Sequence, residues 1–334
     1  MHAHAPSLNE PDQRSRRWGV LLAGGDGARL RNLTRLIYGD DRPKQFCPLF
    51  GNNTLVEETR KRAERSIARE HILVPLTRSH QAFYLREPGI LPDQRIVQPA
   101  NKGTAPPLLY SLLSIEQRDD EAIVAILPCD HHYSDEPAFT AALEFAFDIA
   151  AEHRDSVVLL GEPPRGPEVE YGWIGPGPSV SGAGGVSFRV RGFCEKPSFD
   201  LAMDMLRRGW LWNTFVMVGH VRGFLETINM ALSDVPVLNG VVDRIRGNRL
   251  WVGREVHIQE SLYERIPSID FSRDVLAAQI PRLIALRTGR TGWSDLGRPE
   301  RVMAALQAAG LEPLWMKRWK ALTHSLILNE LHTI

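Results

Sequence analysis

Cysteine is scarce and scattered in this chain: Cys47, Cys129 and Cys194 are the only three in 334 residues, and no two form a CxxC pair. An odd, widely spaced set argues against a disulfide framework and fits a reducing compartment. Long apolar runs are absent too, and none approaches the roughly 18 residues that suggest a membrane span. The early stretch RSRRWGVLLAGG starts like a basic region before an apolar one, but it stops at Gly24-Gly25-Asp26-Gly27, too soon for a secretory signal. Charge of one sign is lacking as well. Forty Lys and Arg balance forty Asp and Glu, so no global field draws the chain to nucleic acid or anionic lipid. A cytoplasmic protein with neither nucleic-acid nor membrane partner is the expectation. There is also no repeat of roughly 20–50 residues and no linker that would separate independent domains.

What is present is alternation. The stretches 18–23, 72–77, 95–99, 122–128 and 156–162 are short, continuously apolar runs, as a parallel sheet covered on both faces requires. Helical patterns fill the gaps, at 105–118 and at 136–153, where Phe139, Leu143, Ala146, Phe147 and Ala150 share one face. Ser134-Asp135 with Pro137 is a start signal for the second. The fold class read from this is α/β, a doubly wound sheet. In the second half, 170–178 and 181–185 read as turns, 186–197 as an alternating strand, 199–209 as a helix, 211–221 as a strand and 222–232 as a helix. A longer helical stretch is expected at 257–279 and a last helix at 298–310. Residues 1–16 read as a mobile arm, 17–297 as one catalytic-type domain with an elaborated second lobe, and 298–334 as a helical extension.

The glycine cluster AGGDGARL at 23–30 follows the first strand, where chains cradle phosphates. The dinucleotide fingerprint G-x-G-x-x-G fails at its last glycine, since position 30 is Leu, and 31–46 reads as a polar loop rather than a helix leading into a strand. No GKS or GKT follows, which excludes a Walker P-loop. A glycine-rich turn without any ligand stays open on these eight residues alone. Arg29 and Lys44, the latter in RPKQF, add the fixed positive charge that a polyphosphate needs.

The motif LLAGGDGARL…RPKQF resembles the signature of sugar-1-phosphate nucleotidyltransferases, and its PKQF ending is closest to the mannose-1-phosphate guanylyltransferases. QPANKGTAP (98–106), LPCDHH (127–132), EYGWI (170–174), FCEKP (193–197), LWNTF (211–215), SID (268–270) and WSDLG (293–297) follow in the family's order. The resemblance covers roughly residues 18–297. It implies a Rossmann-like doubly wound mixed sheet with a sugar-binding lobe. It also implies transfer of a nucleotidyl group, GMP from GTP, to mannose 1-phosphate, with Mg²⁺ as cofactor. Ala23, Gly24, Gly25, Gly27, Arg29 and Lys44 would hold the triphosphate, and Gln98, Gly103 and Thr104 the base and ribose. Gly172, Glu195, Lys196 and Asn213 would hold the sugar phosphate. Thr104 is also read as a helix N-cap.

Cys129-Asp130-His131-His132 admits a soft-metal reading, against which no second Cys/His cluster stands at ligand spacing. An Asp at the C-terminal end of a central strand instead suits Mg²⁺, a hard ion that bridges phosphates and keeps waters. The resemblance implies Asp130 and Asp295 as its ligands, with Cys129 and His132 as packing or rim residues. The chain also departs from the family pattern. Arg31-Asn32 stands where many members carry Trp-Pro, Gly103 where Asn is frequent, and WNTF where WNSG is commoner. Glucose-1-phosphate thymidylyl- or uridylyltransfer is the alternative substrate pair. A non-catalytic nucleotide-sugar-binding regulator is the alternative class, though Arg29, Lys44, Asp130, Lys196 and Asp295 are all retained. Neither a hexapeptide repeat for a left-handed β-helix nor a phosphomannose isomerase half is visible, so a monofunctional enzyme is expected. The apolar tail, with its two tryptophans, is expected to dock on the core or on a second copy in a homodimer.

Overall fold

A computed structural model describes residues 13–180, 186–247 and 255–319. The elements, in chain order, are β1 (Arg17–Leu22), α1 (Arg31–Tyr38), α2 (Leu55–Ala63), β2 (Ile72–Thr77), α3 (Gln81–Tyr84), β3 (Arg95–Gln98), α4 (Ala105–Arg118), β4 (Ile123–Pro128) and α5 (Glu136–Glu152). They continue with β5 (Val157–Glu162), β6 (Gly172–Ser179), β7 (Ser187–Glu195), α6 (Phe199–Arg207), β8 (Leu211–His220), α7 (Val221–Ala231) and α8 (Pro236–Gly247). The last are β9 (Val256–His257), α9 (Glu260–Tyr263), β10 (Leu283–Arg287) and α10 (Pro299–Ala308).

One mixed sheet runs β5-β10-β7-β6-β8-β4-β1-β2-β3-β9, with a further β5–β8 pairing. The half made of β4, β1, β2, β3 and β9 is parallel, with β1 between β2 and β4. Both faces are covered, as the continuous apolar runs require. Val20, Val124 and Ile126 face the layer of α4 and α7 with Leu108, Leu112 and Phe224. Leu21, Ala125 and Leu127 face the layer of α2 and α5 with Val56, Phe139 and Phe147. Asp135 caps α5, its side chain accepting from the Ala138 amide at 2.9 Å. Strand order reverses at β1, so the crevice at the C-terminal ends of β1 and β4 is the topological switch point where open α/β sheets bind ligands.

Several expected elements come out differently. The polar loop after residue 30 begins with α1, because Leu30, Leu33 and Ile37 recur on one face and pack against Val302 and Leu306 of α10. Gly39, at φ 75°, ends that helix. The expected turn at 170–178 is β6. It pairs on both sides only at Trp173 and Ile174, and Pro176 and Pro178 lie where β8 is no longer beside it. The expected helix at 257–279 breaks into β9, the short α9 and a single π-helical turn at Phe271–Leu276. Its segment 266–271 is held instead by the chain at 102–104. The expected arm ends earlier than residue 16: Gln13–Arg16 is a 3₁₀ turn, and Arg14 lies 3.6 Å from Glu144. Residues 1–12, the glycine-rich 181–185 and the end of the tail, 320–334, lie outside the described residues. Within them, Trp315 and Met316 bury against Leu30, Leu33 and Leu49, so the extension docks on the core at least to there.

Candidate active site

The loop after β1 is fixed from behind. Gln45 Nε2 donates to the carbonyls of Ala23 (2.8 Å) and Gly25 (2.7 Å), and Thr77 Oγ1 donates to that of Gly24 (2.8 Å). The amides of Gly24, Gly25, Asp26 and Gly27 have no hydrogen-bond partner among the described residues. A run of free N–H groups at the switch point is an anion cradle. Asp26 closes its outer side, meeting His80 Nε2 at 3.1 Å and accepting from Asn101 Nδ2 at 2.9 Å.

Lys44, only 7% exposed, ties three chain segments together. Its ammonium donates to the carbonyls of Asp295 (2.6 Å) and Leu296 (3.3 Å) and lies 3.2 Å from Asp130 Oδ2. Asp130 follows β4 and Asp295 follows β10, and an isolated antiparallel bridge between His132 and Ser294 joins the two loops. Asp295 Oδ1 accepts from Tyr171 Oη (3.0 Å), Arg301 Nη1 (2.7 Å) and the Gly297 amide (2.9 Å). Burial alone would raise the Asp295 carboxyl, but the charges of Lys44 and Arg301 outweigh it and hold the group below the usual range. Trp293 Nε1 donates to His131 Nδ1 at 3.1 Å, which assigns the proton of that ring to Nε2. Burial lowers the pKa of His131, with the Asp130 carboxylate pulling the other way.

Another wall of the cleft is built by β6, β7 and β8. Gly172 is where the backbone must come close: a Cβ there would sit 2.6 Å from Glu195 Oε2 and 3.2 Å from the Asn213 side chain. Glu195 is raised above the ordinary glutamate value by burial, with Lys196 Nζ, 3.5 Å from its Oε1, pulling the other way.

A family model described as "Nucleotidyl transferase" matches residues 18–310. The chain belongs to that family. It is 30% identical over 300 residues to the mannose-1-phosphate guanylyltransferase ManC of Salmonella typhimurium, covering 85% of this chain and 58% of that one. It is 32% identical over 213 residues to the xanthan biosynthesis protein XanB of Xanthomonas campestris, covering 63% and 43%. The chain spans about half the length of the curated relatives it matches. A crystal structure from Thermus thermophilus, described as a mannose-1-phosphate geranyltransferase, superposes with a TM-score of 0.73 at 29% identity, over 86% of this chain and 79% of that one. Among the described residues no helix is long and apolar enough to cross a membrane.

Most residues singled out from the sequence of this nucleotidyl transferase meet in one cleft: Gly25, Arg29, Thr104, Asp130, Gly172, Glu195, Lys196, Asn213 and Asp295 line it. Gly27 and Lys44 line an adjoining recess that shares Arg29 and Asp130. Ala23 and Gln98 are buried beneath that surface, and Gly24 and Gly103 are partly exposed but line neither recess. Gln98 is 1% exposed, donates to Thr77 Oγ1 at 2.9 Å and accepts from Tyr263 Oη, so both ends of its amide are occupied under the loop. Thr104 precedes α4 but does not cap it; its hydroxyl accepts from the Phe271 amide at 2.8 Å. Cys129 is a core residue, and His132 stacks on Phe50 with ring centroids 4.0 Å apart.

Sequence reasoning passed over Tyr171 and Arg301, which orient Asp295, and Glu170. The Glu170 carboxylate meets Arg298 (2.7 Å), Arg301 (3.0 Å) and Arg29 (3.2 Å), and these cations keep its pKa low against its burial. The only signal was adjacency, since Glu170 and Tyr171 begin the EYGWI motif.

The donor set fits a hard divalent cation. Asp130 and Asp295 line the same cleft, and Asp295 Oδ2 accepts no hydrogen bond among the described residues. No group of three His, Cys, Asp or Glu side chains gathers there among the described residues. The two carboxylates are hard oxygen donors of the kind that Mg²⁺ takes.

Proposed function

We propose that the cleft transfers a nucleotidyl group from an NTP, GTP foremost, to a sugar 1-phosphate, mannose 1-phosphate foremost, and releases pyrophosphate. The observation that carries this reading is the junction of Lys44, Asp130 and Asp295 beside the free amides of residues 24–27, with Glu195, Lys196 and Asn213 across the same cleft. The relatives named mannose-1-phosphate guanylyltransferase support the choice of base and sugar.

In this reaction a phosphate oxygen of the sugar 1-phosphate forms a bond to the α-phosphorus, and the bond to the β-phosphate oxygen breaks in line. The attacking phosphate is already an anion near pH 7, so the site needs no general base. Its residues position two polyanions and offset their repulsion. The free amides and Arg29 hold the β- and γ-phosphates that leave. Lys44 reaches the reacting centre from the buried side, and Lys196 holds the incoming phosphate. Asp130 and Asp295 would hold Mg²⁺, and the chemistry the ion would supply there is charge neutralisation.

The test is a panel of GTP, ATP, UTP and dTTP against mannose and glucose 1-phosphates, read by pyrophosphate release with and without a chelator. GTP with mannose 1-phosphate is expected to give the highest kcat/KM. A better pair of dTTP or UTP with glucose 1-phosphate would replace the substrate assignment, and no release from any pair would end the catalytic one.

Glu195 adds a pH dependence. Its raised pKa means that it takes up a proton above the ordinary value of 4.5. Protonation removes an acceptor for sugar hydroxyls, so kcat/KM for the sugar 1-phosphate is expected to fall as pH drops through that raised value. In Glu195→Gln this component of the acid limb should vanish, leaving only the titration of the substrate phosphate near pH 6. An acid limb of unchanged midpoint and slope in the variant would show that Glu195 does not read the sugar.

A further inference from the structure

Among the described residues, the non-glycine positions with positive φ are Lys196 (52°), Phe215 (60°) and Leu296 (49°). All three border the cleft or adjoin Asp295. Phe215 is the one that chemistry does not explain. It has no charge to place, and a bulky side chain in the left-handed region is a steric outlier. The backbone around it is over-determined. β8 bulges against β5: Asn213 stands opposite Gly161 and Met217 opposite Leu159, so Thr214, Phe215 and Val216 share the single partner position of Leu160. Thr214 Oγ1 donates to the Leu160 carbonyl at 2.7 Å, and the Phe215 amide donates to Asn213 Oδ1 at 3.1 Å. The bulge turns the ring out of the ladder. It packs edge-on against Phe271, centroids 6.3 Å apart, and lines the same cleft as Asn213, Gly172 and Ser272. Strain kept by surrounding bonds at a ligand-facing position points to a use for the side chain that the strain presents.

We propose that Phe215 is a specificity-determining residue: its ring is an apolar wall of the sugar pocket that accepts a C–H position of the acceptor and disfavours a hydroxyl there. This rests on reading the cleft as a sugar 1-phosphate site. The neighbouring walls are polar, since Glu195 accepts and Asn213 both donates and accepts. A hydroxyl turned to them finds a partner. A hydroxyl turned to Phe215 is stripped of water and finds none. An apolar wall discriminates against an added hydroxyl by up to about 10²-fold, whereas the loss of a hydroxyl that a polar group reads costs more.

Two variants separate the ring from the bend. Phe215→Asn keeps a residue that tolerates positive φ and makes the wall polar, and Phe215→Gly removes the wall altogether. Each is compared with the unaltered chain by kcat/KM for mannose 1-phosphate, or for the best acceptor of the panel above, and for its C2, C3 and C4 epimers. In the unaltered chain the epimer that turns a hydroxyl toward the ring should be used worse than the parent. In Phe215→Asn that one epimer should gain about tenfold relative to the parent, with the other ratios kept, and Phe215→Gly should relax the same discrimination. Ratios unchanged in both variants, or an unaltered chain that uses every epimer as well as the parent, would overturn the proposal. Absence of pyrophosphate release by the unaltered chain with every substrate pair would instead defeat the reaction on which it rests.

Discussion

Lys44→Met is expected to keep the fold and to lower kcat by about 10²-fold or more. Methionine conserves most of the buried stem, so packing is nearly retained, while the charge that meets Asp130 and the donors to the Asp295 and Leu296 carbonyls are lost. Two polyanions have to approach in this reaction, and a fixed cation in a nearly closed setting is worth far more there than in water. Lys44→Arg should not restore the rate, because a planar guanidinium cannot aim at two carbonyls and a carboxylate arranged around a point charge. Asp130→Asn is expected to fall by a similar factor. Steady-state rates of pyrophosphate release, with thermal melting as the control for folding, decide the matter. Turnover within a few-fold of normal in a folded Lys44→Met would remove Lys44 from the reacting centre.

The largest effect on stability is expected at Gly103→Ala. Gly103 has φ 84°, and an added Cβ would lie 2.3 Å from the Ile269 carbonyl oxygen and 2.9 Å from its carbon. Those contacts are backbone and cannot turn aside. Around them the Ala105 amide donates to Ile269 O at 3.2 Å, the Ile269 amide to Lys102 O at 3.0 Å, and Lys102 Nζ to Ile266 O at 2.7 Å. Left-handed strain accounts for about 1–2 kcal/mol, and parting the two segments brings the total to roughly 2–4 kcal/mol. Gly209→Ala is the control, because Gly209 has φ 71° with nothing within 4 Å of its Cβ position, so only the strain applies. Denaturant midpoints of the two variants should therefore differ, and equal midpoints would show that the 102–105 and 266–271 segments can separate at no cost.

The parts of this molecule that were legible in the sequence are those set by local pattern. Strands β1 to β5 announce themselves because a two-faced parallel sheet leaves no polar alternation to confuse. The capped start of α5 was equally plain. α1 escaped because its apolar positions are sparse in a basic and polar stretch, and its reason to exist is α10, far along the chain. β6 escaped because its glycines and prolines mimic turns, and only the departure of β8 shows why they are tolerated. The same division holds in the site. Residues with a motif around them are the ones the sequence singles out, and they line the cleft or its adjoining recess: Arg29, Lys44, Asp130, Glu195, Asn213 and Asp295. Those that act through a long-range partner are not singled out by it. The Tyr171–Asp295 hydrogen bond spans 124 positions, and nothing near Tyr171 in the sequence announces it. Gln98 and Thr104 lie in a motif, and their hydrogen bonds to Thr77, Tyr263 and Phe271 are tertiary facts that no local pattern carries.

The bond from Lys44 to the Asp295 carbonyl joins positions 251 residues apart, and β10, inserted between β5 and β7, carries the chain toward that junction. During synthesis the segment that carries Lys44 emerges well before the one that carries Asp295. At roughly 5–20 residues per second, a ribosome takes on the order of 10–50 s to travel from one to the other. Over that interval the glycine loop can form against β2, through Thr77, with Lys44 still lacking its two carbonyls. Assembly of the reacting centre is therefore one of the latest folding events in this chain, governed by closure of a long loop rather than by local propensity.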